Sequence, residues 1–488
     1  MKLSKITEQI KANIIGDVAD VEITSVAYDS RKVGPGSMFV CLKGFNVDGH
    51  AYIEKAIAAG AAAIVLEDMP ENVDMSKVVS VQVEDTRSAL AHISAIWFGH
   101  PASKLTKIAL TGTKGKTTTA NMVKKILEKN GSKVGMIGTM GAYVHDEFVE
   151  VKNTTPESYE LHYLFNKMVE KGCSHVVMEV SSQALKQHRV DGIEFEYGAF
   201  LNISPDHIGP DQHKDFDEYK ECKKMLFSQV QKTVVNIGAD YWDEVTEDCK
   251  TRYTISAYQE ADFAAKNIEN KWEPGFLGIS FEGTGKLTET YSLNMPGKHN
   301  VENALIAASI CYLDGVDEAT ISKALSTVSV KGRTQVIPEA AKYTNIVIDY
   351  AHNAISVESV LKTLREYKPE KLICVFGGGG NKPVQRRFDM GQMSARYADF
   401  SVITMDNPRT EPMDQINKDI IRGIDSENGE YIVIDDRKDA IEYVIDHAGP
   451  NDIVALVGKG HEEHQEVGTE KFYFSELQVV LDYIKTKE

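Results

Sequence analysis

A short apolar run, a glycine-containing loop and a helix-spaced apolar series follow one another near residue 110. The run covers residues 108–110, and Gly112 and Gly115 lie in the loop directly after it. Apolar residues then recur at helical spacing until Asn130-Gly131, as in an amphipathic helix. The pattern therefore predicts a strand, a loop and a helix in that order.

A second helix and a buried strand are predicted further along. Thr155 is suited to cap a helix, Pro156 is suited to its first position, and an apolar series at helical spacing follows until Gly172. Residues 175–180 are almost all apolar, as expected of a strand that is covered on both faces.

Apolar runs alternate with helix-spaced segments again after residue 336. The runs lie at 346–348, 372–376, 400–404, 431–434 and 453–457. Such alternation predicts a mostly parallel sheet covered by helices, with sites beyond the carboxyl ends of the strands. Polar clusters follow three of these runs, at 349–353, 406–409 and 458–462.

The chain divides by pattern into three α/β domains. Its 488 residues exceed one ordinary core, because about 150 residues per domain is typical. Residues 1–104 combine short strands with an alanine-rich helix at 52–62, residues 105–336 contain the glycine loop, and residues 337–488 carry the second alternating pattern. The predicted fold class is therefore α/β.

Composition and charge limit the possible functions. Apolar residues make up 42% and charged residues 26% of the chain, which is the balance of a globular protein. The 54 lysines and arginines against 72 acidic residues give a net charge of −18, which argues against general nucleic-acid binding. Without a secretory signal or an apolar stretch of the ~20 residues that span a bilayer, we expect a cytoplasmic protein with no membrane insertion. We expect the six scattered cysteines to be reduced and buried.

The glycine loop ends like a phosphate-binding loop. It reads Gly112-Thr113-Lys114-Gly115-Lys116-Thr117-Thr118 and is shorter than the full G-x-x-x-x-G-K-[ST] motif. Backbone N–H groups of such a loop point at phosphate oxygens, Lys116 would add positive charge near a transferred phosphoryl group, and the Thr117 hydroxyl would ligate Mg²⁺. The alternative is an ordinary strand-to-helix turn.

Glu179 and the pair Asp206-His207 each follow an apolar run. A carboxylate at the end of a buried strand is costly unless it is paired or bound to a metal. Glu179 is therefore either a Mg²⁺ ligand or a salt-bridged carboxylate at a sheet edge. Asp206-His207, taken alone, is more often part of a turn than of a site.

Several motifs occur in the order found in the Mur ligases, and the sequence resembles that family over essentially its whole length. Each motif is short, whereas their ordered combination is highly specific. Besides the glycine loop, the motifs are Met178-Glu179-Val180-Ser181-Ser182, Asn202-Ile203-Ser204-Pro205-Asp206-His207, Gly297-Lys298-His299-Asn300-Val301-Glu302-Asn303-Ala304, Gly332-Arg333, Asp349-Tyr350-Ala351-His352-Asn353 and Gly458-Lys459-Gly460-His461-Glu462.

The resemblance implies a domain plan and an activity. The N-terminal domain would bind a UDP-linked substrate, the central domain would be a P-loop ATPase with a parallel sheet, and the C-terminal Rossmann-like domain would bind an amino acid. The implied enzyme is an ATP- and Mg²⁺-dependent amide ligase of peptidoglycan precursor synthesis, expected to act as a monomer. It would add a diamino acid to the D-glutamyl side-chain carboxylate of UDP-N-acetylmuramoyl-L-alanyl-D-glutamate through an acyl phosphate.

By motif match, the resemblance also assigns residues to the substrates. Ser30 and the loop at 44–48 would contact the UDP end, with the loop near the uracil. The muramoyl-dipeptide channel would be lined by Asn153, Thr154, Thr155, Ser181, Gln187 and Arg189. ATP would be bound by residues 112–118 with Asn300, Asn303, Arg333, Asp349 and His352. Taken alone, Thr155 also fits a helix cap, Arg189 a solvated charge, and the two asparagines capping or turn roles.

Lys223 occupies the position of the carbamylated lysine of these ligases. A lysine on such a polar helix is usually solvated, as we expect of neighbouring Lys224. A neutral amine that adds CO₂ becomes an anionic carbamate whose oxygens suit a second Mg²⁺, and His207 would be its partner. The resemblance thus implies Lys116, Lys223 and His207 as catalytic residues, and Thr117, Glu179, His207 and Lys223 as metal ligands.

The amino acid added is indicated by Asp406-Asn407-Pro408-Arg409, since Asp-Asn-Pro-Arg marks family members that add meso-2,6-diaminopimelate. Arg409 would hold the distal carboxylate of diaminopimelate and Glu462 its ammonium, with Gly458 beside them. The family's Gly-Asp-Arg-Asp segment is replaced by Gly380-Asn381-Lys382-Pro383, so Lys382 would supply charge without a bidentate fork. Lys114 and residues 202–209 look more like lysine-adding relatives. We favour meso-diaminopimelate over lysine or another diamino acid.

Two other functions remain open from the sequence. A folylpolyglutamate synthase-like ligase would share the loop and the mechanism, although the N-terminal domain and the 406–409 motif speak against it. A P-loop switch ATPase would use the loop without forming an amide.

Overall fold

The computed structural model describes residues 1–44, 47–210 and 212–487, which form two compact units. Unit 1 comprises Met1–Ser256 and Ile306–Val316, and unit 2 comprises Ala257–Leu305 and Asp317–Glu488. Phe45 and Asn46, in the predicted uracil loop at 44–48, lie outside the described residues. None of the described helices pairs the length with the apolar surface that a membrane crossing requires.

The N-terminal part of unit 1 contains a sheet of short strands. The elements are α1 (Leu3–Thr7), β1 (Asn13–Ile15), β2 (Ser25–Ala27), β3 (Ser37–Val40), α2 (Ile53–Ala58), β4 (Ala63–Leu66), β5 (Val79–Gln82) and α3 (Thr86–Trp97). Among the described residues the strand order is β1-β5-β4-β3-β2, with only β1 antiparallel. Strands β3 and β4 are buried along their whole length, so this region has its own core.

The rest of unit 1 is built on a mostly parallel sheet. Its elements are β6 (Thr106–Thr111), α4 (Lys116–Lys129), β7 (Val134–Gly138), β8 (Gly141–Val144), β9 (Glu147–Val149), α5 (Ser158–Glu170), β10 (His175–Glu179), α6 (Ser182–Lys186), β11 (Phe195–Phe200), α7 (Phe216–Lys224), β12 (Val230–Asn236), α8 (Trp242–Val245) and β13 (Arg252–Ser256). The strand order within the unit is β13-β12-β11-β6-β10-β7-β8-β9, and β7 to β9 pair antiparallel.

The predicted strand, loop and helix near residue 110 are confirmed by β6 and α4, and the strand at 175–180 by β10. The predicted start of the next helix is wrong. Helix α5 begins at Ser158 after Glu157, so Thr155 is not its cap and Pro156 is not its first residue. The Thr155 hydroxyl instead donates to Glu179 O and accepts from Ser181 N, and these partners come from a distant segment.

Unit 2 combines an antiparallel hairpin region with a second parallel sheet. Its elements are β14 (Phe263–Glu273), β15 (Phe276–Gly285), β16 (Thr290–Leu293), α9 (His299–Leu313, divided between the units), α10 (Glu318–Leu325), β17 (Gln335–Ile337), β18 (Asn345–Asp349), α11 (Ala354–Arg365), β19 (Leu372–Phe376), α12 (Val384–Tyr397), β20 (Phe400–Ile403), α13 (Met413–Asp425), β21 (Tyr431–Val433), α14 (Arg437–His447), β22 (Ile453–Val457), β23 (His464–Val467), β24 (Glu470–Tyr473) and α15 (Glu476–Thr486).

The second sheet confirms the alternation predicted after residue 336. In the described residues its order is β17-β18-β22-β19-β20-β21, and only β17 is antiparallel. Apolar clusters cover both faces, which explains why its central strands are continuous apolar runs. Polar motifs follow the carboxyl ends of β18, β20 and β22, so the sheet collects them at one edge.

All six cysteines lie in the described residues and are free thiols. Five are buried as predicted, whereas Cys249 is only half-buried. The free thiols agree with the expected reduced state of the cysteines. The expectation that all six are buried is wrong for Cys249.

Candidate functional site

The glycine loop of unit 1 connects β6 to α4. Gly115 has a φ of 86° and directly precedes Lys116, the first residue of the helix. A Cβ at Gly112 would lie 2.9 Å from Leu201 Cβ and 3.1 Å from Asn202 O, so this loop passes its neighbour only with glycine. The N-terminus of α4, where the helix dipole favours an anion, therefore lies directly after the loop.

Two lysines converge on this loop. Lys116 Nζ donates to Gly112 O at 2.7 Å and to Thr113 O at 3.1 Å. Lys223 Nζ, from α7, donates to the same Gly112 O at 3.2 Å and lies 4.6 Å from the centre of the Tyr219 ring. The loop therefore has two amino groups close together, and two ammonium charges there would repel one another.

Lys223 is the buried member of its pair with Lys224. Its side chain is 1% exposed, and burial, together with the nearby Lys116 charge, holds the pKa of Lys223 well below its ordinary value. A lowered pKa favours the neutral amine that can add CO₂. Lys224 instead forms an ion pair with Glu247. The interpretation of residue 223 as a solvated lysine is therefore wrong.

Glu179 ends β10 next to the loop and is almost fully buried. The Thr117 hydroxyl donates to Glu179 Oε1 at 2.8 Å, and the Thr139 hydroxyl donates to Oε2 at 3.1 Å. A Cβ at Gly138 would lie 2.3 Å from Oε1, so glycine is what leaves room for this carboxylate. Hydroxyl and amide donors, rather than an ion pair, hold Glu179 among the described contacts. The Thr117 and Glu179 oxygens form the hard donor set that Mg²⁺ prefers.

His207 lies on the outer side of the same cluster. Its side chain is 55% exposed, its Nε2 is 4.0 Å from Asp206 Oδ2, and its ring centre is 6.2 Å from that of Tyr219. Tyr219 thus contacts both His207 and Lys223. His213, which sequence reasoning did not select, is buried with Nε2 2.9 Å from Ser182 Oγ, and its polar surroundings along the chain carry no signal of this burial.

Thr155, Ser181, Gln187 and Arg189 form one connected group beside Glu179. Arg189 donates from Nη1 to Thr155 O at 2.8 Å and from Nη2 to Gln187 Oε1 at 2.6 Å. Arg189 is 8% exposed and pairs with Glu157 at 2.8 Å, so it is not a solvated surface charge. The structure therefore brings these four predicted channel residues together.

The other three predicted channel and UDP residues differ in their placement. Thr154 Oγ1 is 3.0 Å from Thr139 Oγ1, which links it to Glu179 through one further hydroxyl. Asn153 is exposed, and Ser30 lies half-buried in the 3₁₀ helix Ser30–Lys32.

Besides the glycine loop, the five other residues predicted to shape the ATP site lie in unit 2. Asn303 Nδ2 donates to Asn300 Oδ1 at 3.1 Å, and Asn300 Nδ2 donates to Pro296 O at 2.8 Å. Asp349 accepts from Thr334 N at 2.7 Å and from Ala351 N at 2.8 Å, and burial raises its pKa. The guanidinium of Arg333 lies 5.2 Å from the Tyr350 ring centre.

A cavity of about 190 Å³ lies at the carboxyl edge of the second sheet. It brings together all six residues predicted to bind the amino acid, and it adds His352, which was predicted for ATP. Its other lining residues were not selected from the sequence. The lining consists of Tyr350, His352, Gly377, Gly379, Lys382, Arg386, Asp406, Asn407, Arg409, Gly458 and Glu462.

Lys459 contacts three lining residues of this cavity and was also missed. Its Nζ is buried and donates to Asn407 Oδ1 at 3.0 Å, with Asp406 Oδ1 and Glu462 Oε2 each at 3.4 Å. Asn407 Nδ2 donates to the same Glu462 oxygen at 3.0 Å. The position of Lys459 between two glycines directly after a buried strand was the available signal.

Arg409 and Arg386 bring two guanidinium groups to the cavity. Arg409 has a φ of 53°, its Nη1 donates to Gly380 O at 3.0 Å, and its Nε lies 2.8 Å from Glu466 Oε2. Arg386 donates from Nε and Nη2 to His352 O at 3.0 and 2.6 Å. Burial lowers the pKa of His352, which favours its neutral form. The cavity therefore offers cations and carboxylates to one small zwitterionic ligand.

Family models match three stretches of the chain. The model described as Mur ligase middle domain matches residues 110–311, the one described as Mur ligase, glutamate ligase domain matches 332–460, and the one described as Mur ligase family, catalytic domain matches 22–97. Together these matches include the glycine loop of unit 1 and nearly all of the cavity lining of unit 2.

Relatives and solved structures agree with these matches. The chain is 38% identical to UDP-N-acetylmuramoyl-L-alanyl-D-glutamate–2,6-diaminopimelate ligase 1 of Clostridium acetobutylicum over 99% of both chains, and 38% identical to the corresponding ligase of Caldanaerobacter subterraneus over 100% of both. A solved structure of a ligase with the same substrate name is 25% identical, covers 100% of this chain and 99% of that one, and has a TM-score of 0.74. Folylpolyglutamate synthase from Thermotoga maritima shares the fold over 82% of this chain and 94% of that one, with a TM-score of 0.60 and 17% identity. The ordered motifs, the site geometry, the three model matches and the full-length relatives lead to one conclusion: the chain belongs to the Mur ligase family.

Proposed function

We propose that the chain is the ATP-dependent ligase that adds meso-2,6-diaminopimelate to UDP-N-acetylmuramoyl-L-alanyl-D-glutamate. The observation that carries this proposal is the cavity in which Arg409 and Glu462 lie together at the carboxyl ends of the strands. Its charges match an amino acid with a second amino-carboxylate end, and the full-length relatives are named for this reaction.

ATP would bind at the glycine loop of unit 1. The backbone N–H groups after Gly115 and the Lys116 ammonium would face its phosphates. Within unit 2, the residues that the family resemblance assigns to the nucleotide are Asn300, Asn303, Arg333, Asp349 and His352. Thr117 and Glu179 would hold a Mg²⁺ ion, which neutralises phosphate charge. Carbamylated Lys223, with His207, would supply ligands for a second ion.

The proposed reaction brings together two negatively charged groups, the D-glutamyl carboxylate and the γ-phosphate of ATP. The D-glutamyl side-chain carboxylate attacks the γ-phosphorus, the bond to the β-phosphate oxygen breaks, and an acyl phosphate and ADP form. The amine of the diamino acid then attacks the acyl carbon, loses a proton and displaces inorganic phosphate. Because carboxylate and phosphate repel one another, Lys116 and the loop N–H groups must neutralise the charge of both reactants. Arg189, held by Thr155 and Gln187, would orient the dipeptide carboxylate.

Selection of the amino acid would depend on the second carboxylate. Arg409 would bind it through its guanidinium, and Glu462 would accept a hydrogen bond from the adjacent ammonium. Lysine has no distal carboxylate and would leave Arg409 without this partner, at a cost of roughly 2–5 kcal/mol. Lysine is the second candidate for the added amino acid, because this chain has Lys382 at a position where the family has an arginine.

The proposal includes the organisation of the chain. The predicted domains are 1–104, 105–336 and 337–488, and the protein would act as a monomer in the cytoplasm, where ATP and UDP-linked precursors are available. A folylpolyglutamate synthase-like ligase is disfavoured because its likeness to this chain is one of fold alone.

The test is phosphate release by the purified protein with ATP and Mg²⁺. Release should require both the UDP-muramoyl dipeptide and an amino acid, and vigorous turnover without either would instead indicate a switch ATPase. With diaminopimelate and lysine at equal concentration, mass analysis of the product should show predominantly diaminopimelate. A lysine-containing product would refute the amino-acid assignment alone, whereas folate-dependent turnover would refute the whole proposal.

A further inference from the structure

We propose that Glu466 positions the Arg409 guanidinium, and that the hairpin β23–β24 thereby sets the selectivity of the cavity for an amino acid with a distal carboxylate. This inference rests on the proposed function, because it concerns how the same cavity distinguishes diaminopimelate from lysine. Glu466 belongs to no motif used above and does not line the cavity itself.

The hairpin is joined to the 406–409 motif through backbone groups. Arg409 N donates to Glu466 O at 3.0 Å, and Gly468 N donates to Arg409 O at 2.7 Å. Glu466 N also donates to Asn407 Oδ1 at 3.0 Å. These contacts stabilise Arg409 in its left-handed conformation, with a φ of 53°, which is uncommon for residues other than glycine.

Two side-chain contacts then determine the orientation of the guanidinium. Glu466 Oε2 lies 2.8 Å from Arg409 Nε, and Gly380 O accepts from Nη1 at 3.0 Å. A guanidinium has five N–H donors in a rigid plane; the Gly380 contact uses one on Nη1, and the ion pair holds the Nε edge beside Glu466. The remaining donors on Nη1 and Nη2 are left for a carboxylate, which can be bound end-on by both nitrogens.

Glu466 also has an electrostatic role beside Arg409. Lys382 and Arg386 line the same cavity as Arg409, so three cationic side chains share a small volume. Glu466 offsets this repulsion at Arg409 and is itself near Lys471 Nζ at 3.4 Å and His464 Nε2 at 3.8 Å. An arginine without this anchor would distribute over many rotamers, and fewer molecules would present the fork to the ligand.

The experiment compares steady-state kinetics of Glu466→Ala, Glu466→Gln and the parent protein, each with diaminopimelate and with lysine. Glu466→Ala should raise the KM for diaminopimelate about tenfold while kcat and the KM values for lysine, ATP and the UDP substrate change less than about twofold. Glu466→Gln should raise the KM for diaminopimelate by about threefold to tenfold and leave the KM for lysine unchanged, because it keeps the size of the side chain but lacks the charge that pairs with Arg409. Glu470→Ala, an exposed position on the neighbouring strand, is the matched control and should match the parent.

Arg409→Ala separates failure of this inference from failure of the proposed function. If Arg409→Ala weakens diaminopimelate selectively and Glu466→Ala does not, the positioning role is wrong and the proposed function stands. If Arg409→Ala leaves the KM for diaminopimelate unchanged, the amino-acid assignment itself fails. In the Arg409→Ala background, Glu466→Ala should add no further loss, and an additive loss would overturn the inference. Should Glu466→Ala not fold, a Glu466→Gln effect equal for both amino acids would overturn it as well.

Discussion

The Thr117 hydroxyl donates a hydrogen bond of 2.8 Å to the Glu179 carboxylate, which joins the first turn of α4 to the end of β10. The same carboxylate accepts from both the backbone N–H and the hydroxyl of Thr139. Two hard oxygen donors are thus held in place by the fold itself, without help from a ligand. Such preorganisation lets a cation bind without a further ordering cost for these side chains.

Glu179→Gln should reduce phosphate release at least about a hundredfold, because the variant lacks the negative charge that a Mg²⁺ ligand supplies. The fold should be retained, since the amide oxygen of the introduced glutamine can still accept from Thr117 and Thr139. Activity measured against Mg²⁺ concentration, with circular dichroism as the check on folding, tests this prediction. If Glu179→Gln were as active as the parent at ordinary Mg²⁺ concentration, Glu179 would not be a metal ligand.

Lys223→Ala should abolish most of the activity, and Lys224→Ala should leave it nearly unchanged. The two lysines are neighbours in one helix, but only Lys223 Nζ contacts the glycine loop, while Lys224 pairs with Glu247. Added short carboxylic acids should partly rescue Lys223→Ala by replacing the carbamate oxygens. Comparable losses in the two variants would contradict the assignment of residue 223.

Arg409→Ala should lower kcat/KM for diaminopimelate by at least about thirtyfold, as expected when a charge-assisted contact to the ligand is lost. Turnover with lysine should change little, so the preference should shift toward lysine. Lys382→Ala is the matched comparison, because Lys382 lines the same cavity but offers only a point charge. A larger effect of Lys382→Ala than of Arg409→Ala would mean that Lys382, and not Arg409, is the main partner of the distal carboxylate.

His162 should make the protein acid-labile. Its ring is buried edge-on against Phe165, neither ring nitrogen has a hydrogen-bond partner among the described residues, and burial lowers its pKa to about 4. In the unfolded chain the histidine pKa is about 6.5, so at acidic pH the unfolded chain binds a proton at this residue while the folded state does not. Stability is therefore complete above pH ~6.5 and declines as the pH falls toward 4, by about 2 kcal/mol at pH 5.

The check is thermal unfolding of the parent and of His162→Phe at pH 7.5 and pH 5. His162→Phe lacks the titrating ring, so its midpoint should fall less between the two pH values than that of the parent. Parallel losses in the two proteins would show that other groups govern the acid response.

The strands of the second sheet could be predicted closely, because β19 and β22 are buried on both faces and appear as uninterrupted apolar runs. The antiparallel strands β14 to β16 were not predicted. Half of β14 is exposed, so its pattern resembles a polar loop. The start of α5 was predicted too early because the Thr155 hydroxyl bonds backbone groups of a distant segment and does not cap the helix that follows it. The local sequence pattern contains no information about those distant partners.

Parts of the candidate site could be recognised from motif order and strand ends, such as Glu179 at the end of β10 and Asp406 after β20. The burial of Lys223 could not, because helix α7 is polar by composition and its buried face depends on the loop more than a hundred residues earlier in the chain. Arg386 and Lys459 were missed for a related reason. Each acts through contacts with segments distant in sequence, such as His352 and Asn407.

Gly138 makes Glu179 possible without supplying a single polar atom from a side chain. Even alanine there would place its Cβ 2.3 Å from the carboxylate oxygen and displace it from Thr117. In a saturation mutagenesis screen scored by growth or by turnover, position 138 should consequently be as intolerant as a catalytic position. A position that tolerates only one amino acid in a mutational screen is therefore not always a position that contacts the substrate. Such a position can instead be one where any side chain would occupy the space that a functional group needs.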